Sequence, residues 1–455
     1  MVHLSNGVPS PVVARYDVQY PIAKLPVELV IHIMRSGLDI PSQRSLSQIS
    51  RGFRDMSFLV PEFWSTIVPK FPLDKDQLDY WKWSLANSKT VPLDIKLNIL
   101  ERDPFSEVDQ NQGFLLLLPE LVSNATRWCT FELVTEPFAP MNLFLTEIIP
   151  VTVFPQLETL RLACAESIAT HNAASFTDSR PGEPRQVMPR LRSLTLWNVW
   201  RSYPGGILNG LVNLQLIGDL DGNVAPLEEI VNTLKSSPNL EVLCLTAAPP
   251  PISTLSPLPV TNEALHVLLP RLRSLTFRGL SKMAGICILP LLHLPILEEF
   301  HLEDTSAWLD RSVDVPDRPR IPEDYSSVIQ IITFLNMPWG GSGNVFAAPT
   351  GPQWPQGKLK ELTLSWVTAE AMSLLDWLSF MNGLTTLRTK FSDVDLLRVL
   401  QDANVCPQLQ ALYVEGFMDP ATRNELERVM RARPNLEVSV EATLAGAGHI
   451  SRRRW

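Results

Sequence analysis

The sequence predicts an α/β chain: a small N-terminal all-α bundle followed by an irregular solenoid of strand–helix units. Three observations predict it. Residues 22–67 show helical spacing without strand alternation. From about residue 154 one leucine pattern recurs ten times. The segments between its copies carry apolar residues at i, i+3, i+4 and i+7, the spacing of an amphipathic helix.

Composition sets the frame. With 455 residues the chain exceeds one ordinary compact domain. Hydrophobic residues make up 45% and charged residues 19%, enough to bury a core. The net charge of −9 lacks the basic footprint of a nucleic-acid binder, so no nucleic-acid partner is expected. The one dense basic run, Arg452–Arg454, reads as a solvated tail. Five widely spaced cysteines without a C-x-x-C pair point to a reduced, intracellular protein. The N-terminus has no charged segment followed by an apolar one, so no signal peptide is expected. The longest apolar runs, GFLLLLPELV and ICILPLLHLPIL, are short and contain proline, so no membrane span is expected. The expected location is cytoplasmic and/or nuclear.

Residues 1–19 read as a loose tail, 20–67 as the helical segment, and 68–150 as linking helices with the first irregular units. Residues 151–445 read as the solenoid and 446–455 as a basic tail. In 20–67, Pro26 opens a helix with Glu28 in its first turn. Leu25, Leu29 and Ile33 recur every four residues on one face, and Gly37 ends the pattern. A second helix over 43–58 puts Leu46, Ile49 and Phe53 on one face. Pro61 then restarts a turn that delivers Phe63 and Trp64. Further on, YWKWSLANSKTVPLDIKL reads as helix, turn and strand, and FLLLLPELVSNATRWCTFELV as helix and strand.

The recurring pattern is L-x-x-L-x-L, as in FPQLETLRL (154–162), MPRLRSLTL (188–196), LPILEEFHL (294–302) and CPQLQALYV (406–414). Its last two leucines share one face of a short strand, and the first packs the turn that enters it. VAPLEEIVNTLKSS between two copies has helical spacing. One strand and one helix per 20–35 residues describe a leucine-rich-repeat solenoid. An ordinary α/β sheet would make the strands apolar on both faces. Here the interleaved positions are mostly polar, so one strand face should be open. The asparagine of regular repeats is missing from the ninth position, where Ala165, Val199 and Asp219 stand, so irregular curvature is expected.

Residues 21–67 resemble an F-box domain. The matching residues are Leu25-Pro26-x-Glu28-Leu29 with Ile33, then LSQISRGFRDM and PEFWSTI. With WSLANSKTVPLDIKL and the leucine copies, most of the chain is similar to F-box proteins of mushroom-forming fungi that carry divergent leucine-rich repeats. The resemblance implies a non-catalytic role. A Skp-type adaptor bound to a cullin scaffold would dock on Leu25, Pro26, Glu28, Leu29, Ile33, Leu46, Ile49 and Phe53. The repeats would hold a protein substrate for ubiquitin transfer. Phe53 stands where many relatives have tryptophan.

The expected substrate surface is the open strand face: Arg161, Thr195, Trp197, Gln215, Thr276, Arg278, His301, Glu303, Thr363, Ser365, Arg388, Lys390, Tyr413 and Glu415. No catalytic motif appears: there is no H-E-x-x-H, G-x-S-x-G or P-loop, and GGSGN (340–344) reads as a loop. His301, between Glu299 and Glu303, reads as part of a polar strip rather than as a metal ligand. No cofactor and no metal are expected.

Overall fold

The computed structural model describes residues 26, 28–29, 32, 54–55, 57–58, 60–100, 107–149, 152–165, 188–199, 210–218, 227–246, 266–278, 288, 291–303, 358–365, 367, 371–390, 394–416, 420–443 and 450–454. Two compact units divide at Thr159–Leu160.

In the first unit, Pro61–Trp64 form a 3₁₀ turn that leads into strand β1 (Thr66–Ile67). Helix α1 (Lys75–Asn87) starts at Asp74, whose carboxylate accepts from the Gln77 amide at 2.7 Å, with Gln77 reaching back to the Asp74 amide. Strand β2 (Leu93–Ile99) buries Leu93, Ile95, Leu97 and Ile99 by strict alternation. Helix α2 (Glu107–Ser123) precedes β3 (Trp128–Thr135), and α3 (Phe138–Leu143) follows it. Strands β1, β2 and β3 pair in parallel, with Thr66 opposite Asp94 and Leu97 opposite Leu133. Gly113 allows α2 its close approach to the chain before α1, since a Cβ there would stand 3.1 Å from the Leu73 amide nitrogen. Two aromatic clusters fill the unit. Trp83 of α1 meets Trp64 at 4.6 Å and Phe58 at 5.4 Å. Trp128 stacks on Phe131 at 4.4 Å, and Phe131 on Phe144 at 4.7 Å.

The second unit carries a long parallel sheet. Its strands are β4 (Thr159–Cys164), β5 (Ser193–Trp197), β6 (Asn213–Ile217), β7 (Val242–Thr246), β9 (Ser274–Arg278), β11 (Glu299–Glu303), β12 (Glu361–Ser365), β13 (Thr386–Lys390), β14 (Ala411–Gly416) and β15 (Glu437–Thr443), adjacent in that order. Strand β16 (Ile450–Arg454) adds antiparallel to β15. Strands β8 (Val267–Leu268) and β10 (Leu292–His293) form a separate parallel pair. Helices α4 (Leu227–Lys235), α5 (Ala371–Ser379), α6 (Val394–Val399) and α7 (Pro420–Ala432) precede β7, β13, β14 and β15.

The leucine pattern explains each strand entry. The first leucine closes an i→i+3 turn: Leu240 donates to the Ser237 carbonyl at 3.2 Å, Leu384 to Met381 at 3.2 Å and Leu409 to Cys406 at 3.0 Å. The next two leucines then point together into the core, as Leu243 and Leu245 do. From β5 to β13 the carbonyl just before each strand of the long sheet accepts two successive N–H groups at the entry of the next. That of Arg273 takes Glu298 and Glu299 at 2.8 and 2.9 Å, and that of Glu298 takes Lys360 and Glu361 at 2.8 and 3.1 Å. A carbonyl oxygen has two lone pairs for this purpose.

These observations correct the expected fold. The chain is an α/β fold on extensive parallel sheet with few helices, not an N-terminal helical bundle followed by a leucine-rich-repeat solenoid. The end of the segment 20–67 does not close a bundle: Phe63, Trp64 and Ile67 are buried, and Thr66–Ile67 pair with β2. Between strands the expected helix is not uniform, because the short pair β8–β10 precedes β9 and β11. The physical reason is that L-x-x-L-x-L specifies a strand and its entry turn, and says nothing about what connects them. Polar interleaved positions also do not exclude a parallel sheet, since only one face here is packed. Residues 446–455, expected as a tail, include β16, with Arg452 in register with Glu441. Most of the two N-terminal helices expected, and the helix expected at EDYSSVIQIITFL, lie outside the described residues.

One arginine in each unit ties a helix–strand turn to the turn before it. Arg127, just before β3, donates to the Val91 carbonyl (3.0 Å), Ser88 Oγ (2.6 Å) and Asn124 Oδ1 (3.0 Å). Arg433, just before β15 and only 9% exposed, donates to the carbonyls of Leu400 (2.8 Å), Cys406 (3.2 Å), Asp402 and Val405. Cys406, one of those acceptors, sits at φ 48°, a conformation uncommon for a side-chain-bearing residue. Arg433→Ala is therefore expected to cost about 3 kcal/mol in urea unfolding, because it leaves buried carbonyls unpaired. Arg433→Lys recovers only part of that loss, since an ammonium lacks the planar fork of donors. An unchanged unfolding midpoint in both variants would refute this role.

Candidate functional site

The parallel register lines up the outward side chains of the second unit in rows. One row runs Thr195, Gln215, Cys244, Thr276, His301, Thr363, Arg388, Tyr413, Ser439. The next runs Trp197, Ile217, Thr246, Arg278, Glu303, Ser365, Lys390, Glu415, Glu441. Every expected substrate-surface residue lies on an outward strand position. Arg161 and Trp197 are exposed, Trp197 at 43%, whereas Thr195, Gln215 and Thr276 are half-buried.

Nine of the expected residues come together around one groove of about 410 Å³: Arg278, His301, Glu303, Thr363, Ser365, Arg388, Lys390, Tyr413 and Glu415. Arg161, Thr195, Trp197, Gln215 and Thr276 do not line it. Ser439 and Glu441 of β15 do line it and were missed. Their signal was the worn copy RPNLEVSVE, in which they hold the same outward positions as Tyr413 and Glu415 in the preceding copy.

Ion pairs run sideways between strands. Arg278 Nε lies 3.5 Å from Glu303, Lys390 Nζ 2.7 Å from Glu415, and Arg388 Nε 2.7 Å from Glu361. The Arg388 guanidinium also sits 4.2 Å from the Tyr413 ring centre, a cation–π contact. Between these pairs lies Ser365, only 3% exposed. The pairs beside it lean away from it, one toward β9 and one toward β14, and this small residue leaves the groove open.

His301 stands in the floor. Its Nε2 is shielded from solvent and has no hydrogen-bond partner among the described residues. Glu303 Oε2 is 3.9 Å away, too far for a hydrogen bond. Burial, with the nearby Arg278 charge, pushes the His301 pKa below 6.5 against the opposing pull of Glu361. The imidazole is thus neutral at neutral pH and His301–Glu303 is not an ion pair there. Elsewhere, burial raises the Cys244 thiol on the same face, and the buried Cys406 thiol is pushed up to about 12.

Of the expected adaptor-docking residues, Pro26, Glu28 and Leu29 are exposed, Leu29 at 50%. Leu25, Ile33, Leu46, Ile49 and Phe53 lie outside the described residues. Among the described residues no group of three or more His, Cys, Asp or Glu side chains is placed to hold a metal ion, and no helix is long and apolar enough to cross a membrane. No protein-family model matches the sequence, and a search of the curated proteins finds no match.

Two outcomes follow from these environments. Because His301 binds a proton more weakly folded than unfolded, its contribution to stability is complete above pH 6.5 and is lost as pH falls through its lowered pKa. Thermal melts between about pH 7 and pH 5 should show a steeper loss for the wild type than for His301→Gln, and parallel curves would refute the assignment. Cys406 should stay unlabelled by iodoacetamide at about pH 8 in the native protein and react once denatured, read by peptide mass spectrometry.

Proposed function

We propose that this chain is the non-catalytic substrate-recognition subunit of a Skp–cullin–F-box type ubiquitin ligase. Residues 20–67 dock a Skp-type adaptor and through it a cullin scaffold. The outward face of the parallel sheet holds a protein substrate, raising the local concentration of its lysines near the ubiquitin-charged enzyme. One observation carries the recognition half of this reading. A groove of about 410 Å³ is lined by outward side chains from six adjacent strands, with arginine and tyrosine among them. Arginine, tyrosine and tryptophan are the residue types on which protein interfaces most depend. The ligase half is supported by the Leu25-Pro26-x-Glu28-Leu29 motif and by the exposure of Pro26, Glu28 and Leu29.

A second reading, a protein-interaction scaffold independent of any ligase, is favoured by one feature. Thr66 and Ile67 belong to the sheet, so the end of the F-box-like segment is built into its own unit.

A pull-down of the full chain against a Skp-type adaptor separates the two. The ligase reading expects capture by the wild type and loss of at least tenfold in the Leu25→Ala/Pro26→Ala variant, about 1.4 kcal/mol or more. Absence of capture by both would refute it and leave the scaffold. Arg388→Ala/Tyr413→Ala, on the other surface, should leave adaptor capture unchanged.

A further inference from the structure

We propose that the free side of β15 is a strand-addition site, covered in part by β16. Its occupant is an extended partner segment of pattern apolar-x-apolar that pairs in parallel. This goes beyond the reading of the outward face, because it uses the edge of the sheet.

The first observation is a recurring acceptor left without donors. From β5 to β13 the carbonyl before each strand of the long sheet takes two N–H groups at the entry of the next. The equivalent carbonyl before β15 is that of Leu436. Among the described residues no backbone N–H group donates to it. Strand β16 stops short of it. Its pairing ends at Ser439–Arg454, so Glu437 and Val438 have no strand partner on that side among the described residues. An unpaired strand edge is a template for another chain. Here the template is set for a parallel strand, the arrangement in which β12 to β15 already pair.

The second observation is that β16 matches the edge poorly. In register, the core-side row Leu302, Leu364, Thr389, Val414 and Val440 continues at Arg453. The row of Gly416 and Ala442 continues at Ser451. Ile450, the one apolar residue of β16, stands opposite Thr443 instead. Strand β16 therefore pairs with five residues of β15 and continues neither core row with an apolar residue. Val438 and Val440 are both buried at this edge. A segment with apolar residues opposite them adds hydrophobic burial to the same kind of main-chain pairing, and so displaces β16.

Backbone geometry fixes how the segment bonds. The Glu437 N–H donates toward β14, to the Gln410 carbonyl at 2.8 Å. Successive strand residues turn their N–H and C=O groups to opposite sides, so Val438 and Val440 turn theirs to the free edge. A parallel segment meets those groups with the residues that flank its apolar positions. An antiparallel segment meets them with the apolar residues themselves, directly opposite.

The test uses the full chain and a labelled, net-neutral peptide, Lys-Ser-Leu-Thr-Leu-Thr-Glu, with both ends blocked. Its leucines fall opposite Val438 and Val440, and its first two amides reach the Leu436 carbonyl. Binding is read by fluorescence anisotropy. Arg453→Pro removes the N–H that β16 offers opposite Val440, and should tighten binding about tenfold or more over the wild type. Arg453→Val gives β16 an apolar residue in the core row, and should weaken binding about fivefold. Both variants are checked for native circular dichroism. Methylating the two threonine amides of the peptide should abolish binding, whereas methylating the two leucine amides should leave it. No binding to Arg453→Pro, binding no tighter than to the wild type, or loss on leucine methylation would each overturn the proposal. Should Arg453→Pro lose its native spectrum, Arg453→Val decides, and binding equal to the wild type overturns the proposal. Adaptor capture is untouched by these variants, so failure here is distinguishable from failure of the ligase reading.

Discussion

The carbonyl that precedes each strand of the long sheet from β5 to β13 is the point on which the second unit depends. It accepts both entry N–H groups of the next strand, as the Val212 carbonyl accepts Glu241 and Val242 at 2.9 and 3.1 Å. That shared acceptor fixes register before any side chain is counted. With register fixed, Leu243 falls beside Leu275 and Leu275 beside Phe300, so each buried residue meets another across the sheet. A slip of one residue would turn every leucine outward and bury the charged positions, so alternation and hydrogen bonding enforce one another. The constraint holds even across the longest interval: β11 and β12 pair residue for residue from Glu299–Glu361 to Glu303–Ser365. The length of chain between two strands is therefore free to vary, while the strand entries are not.

The two carbonyl-binding arginines solve a problem that the leucines leave open. A turn between helix and strand has backbone carbonyls that no ladder satisfies, and burying them unpaired is costly. Arg433 gathers four such carbonyls with one guanidinium, and Arg127 does the same for Val91 with help from Ser88 and Asn124. Burial pulls down the pKa of both, which records how much water they have given up. Neither side chain was legible as structural beforehand. An arginine just before a strand looks like any surface cation until the turn it serves is known.

What the sequence discloses follows from the range of the forces involved. Strand positions and the outward row were readable because alternation is a local property, visible in Leu362-Thr363-Leu364 without its neighbours. Helix α1 was readable in YWKWSLAN. The fold class was misjudged because it depends on connections that have no sequence period of their own: β8 and β10 are two residues each and pair only with one another. Nine of the residues around the groove were in the expected surface, but that they would form a groove there was not readable. It arises because Ser365 is small between Glu303 and Lys390 and because those two turn to partners on opposite sides. Such a choice of partners is three-dimensional and leaves no mark in spacing.

Alternation on the sheet also bears on how such a protein changes over generations. In a strand such as Glu361–Ser365 the inward pair, Leu362 and Leu364, is locked by packing, whereas Glu361 and Thr363 touch mainly their neighbours and solvent. Substitutions at exposed outward positions typically shift stability by about 0.5 kcal/mol or less, well below the loss that removes a domain from the folded population. Selection can therefore rewrite the recognition row while the core drifts slowly. A lineage built on this sheet can acquire new specificities at little risk to folding.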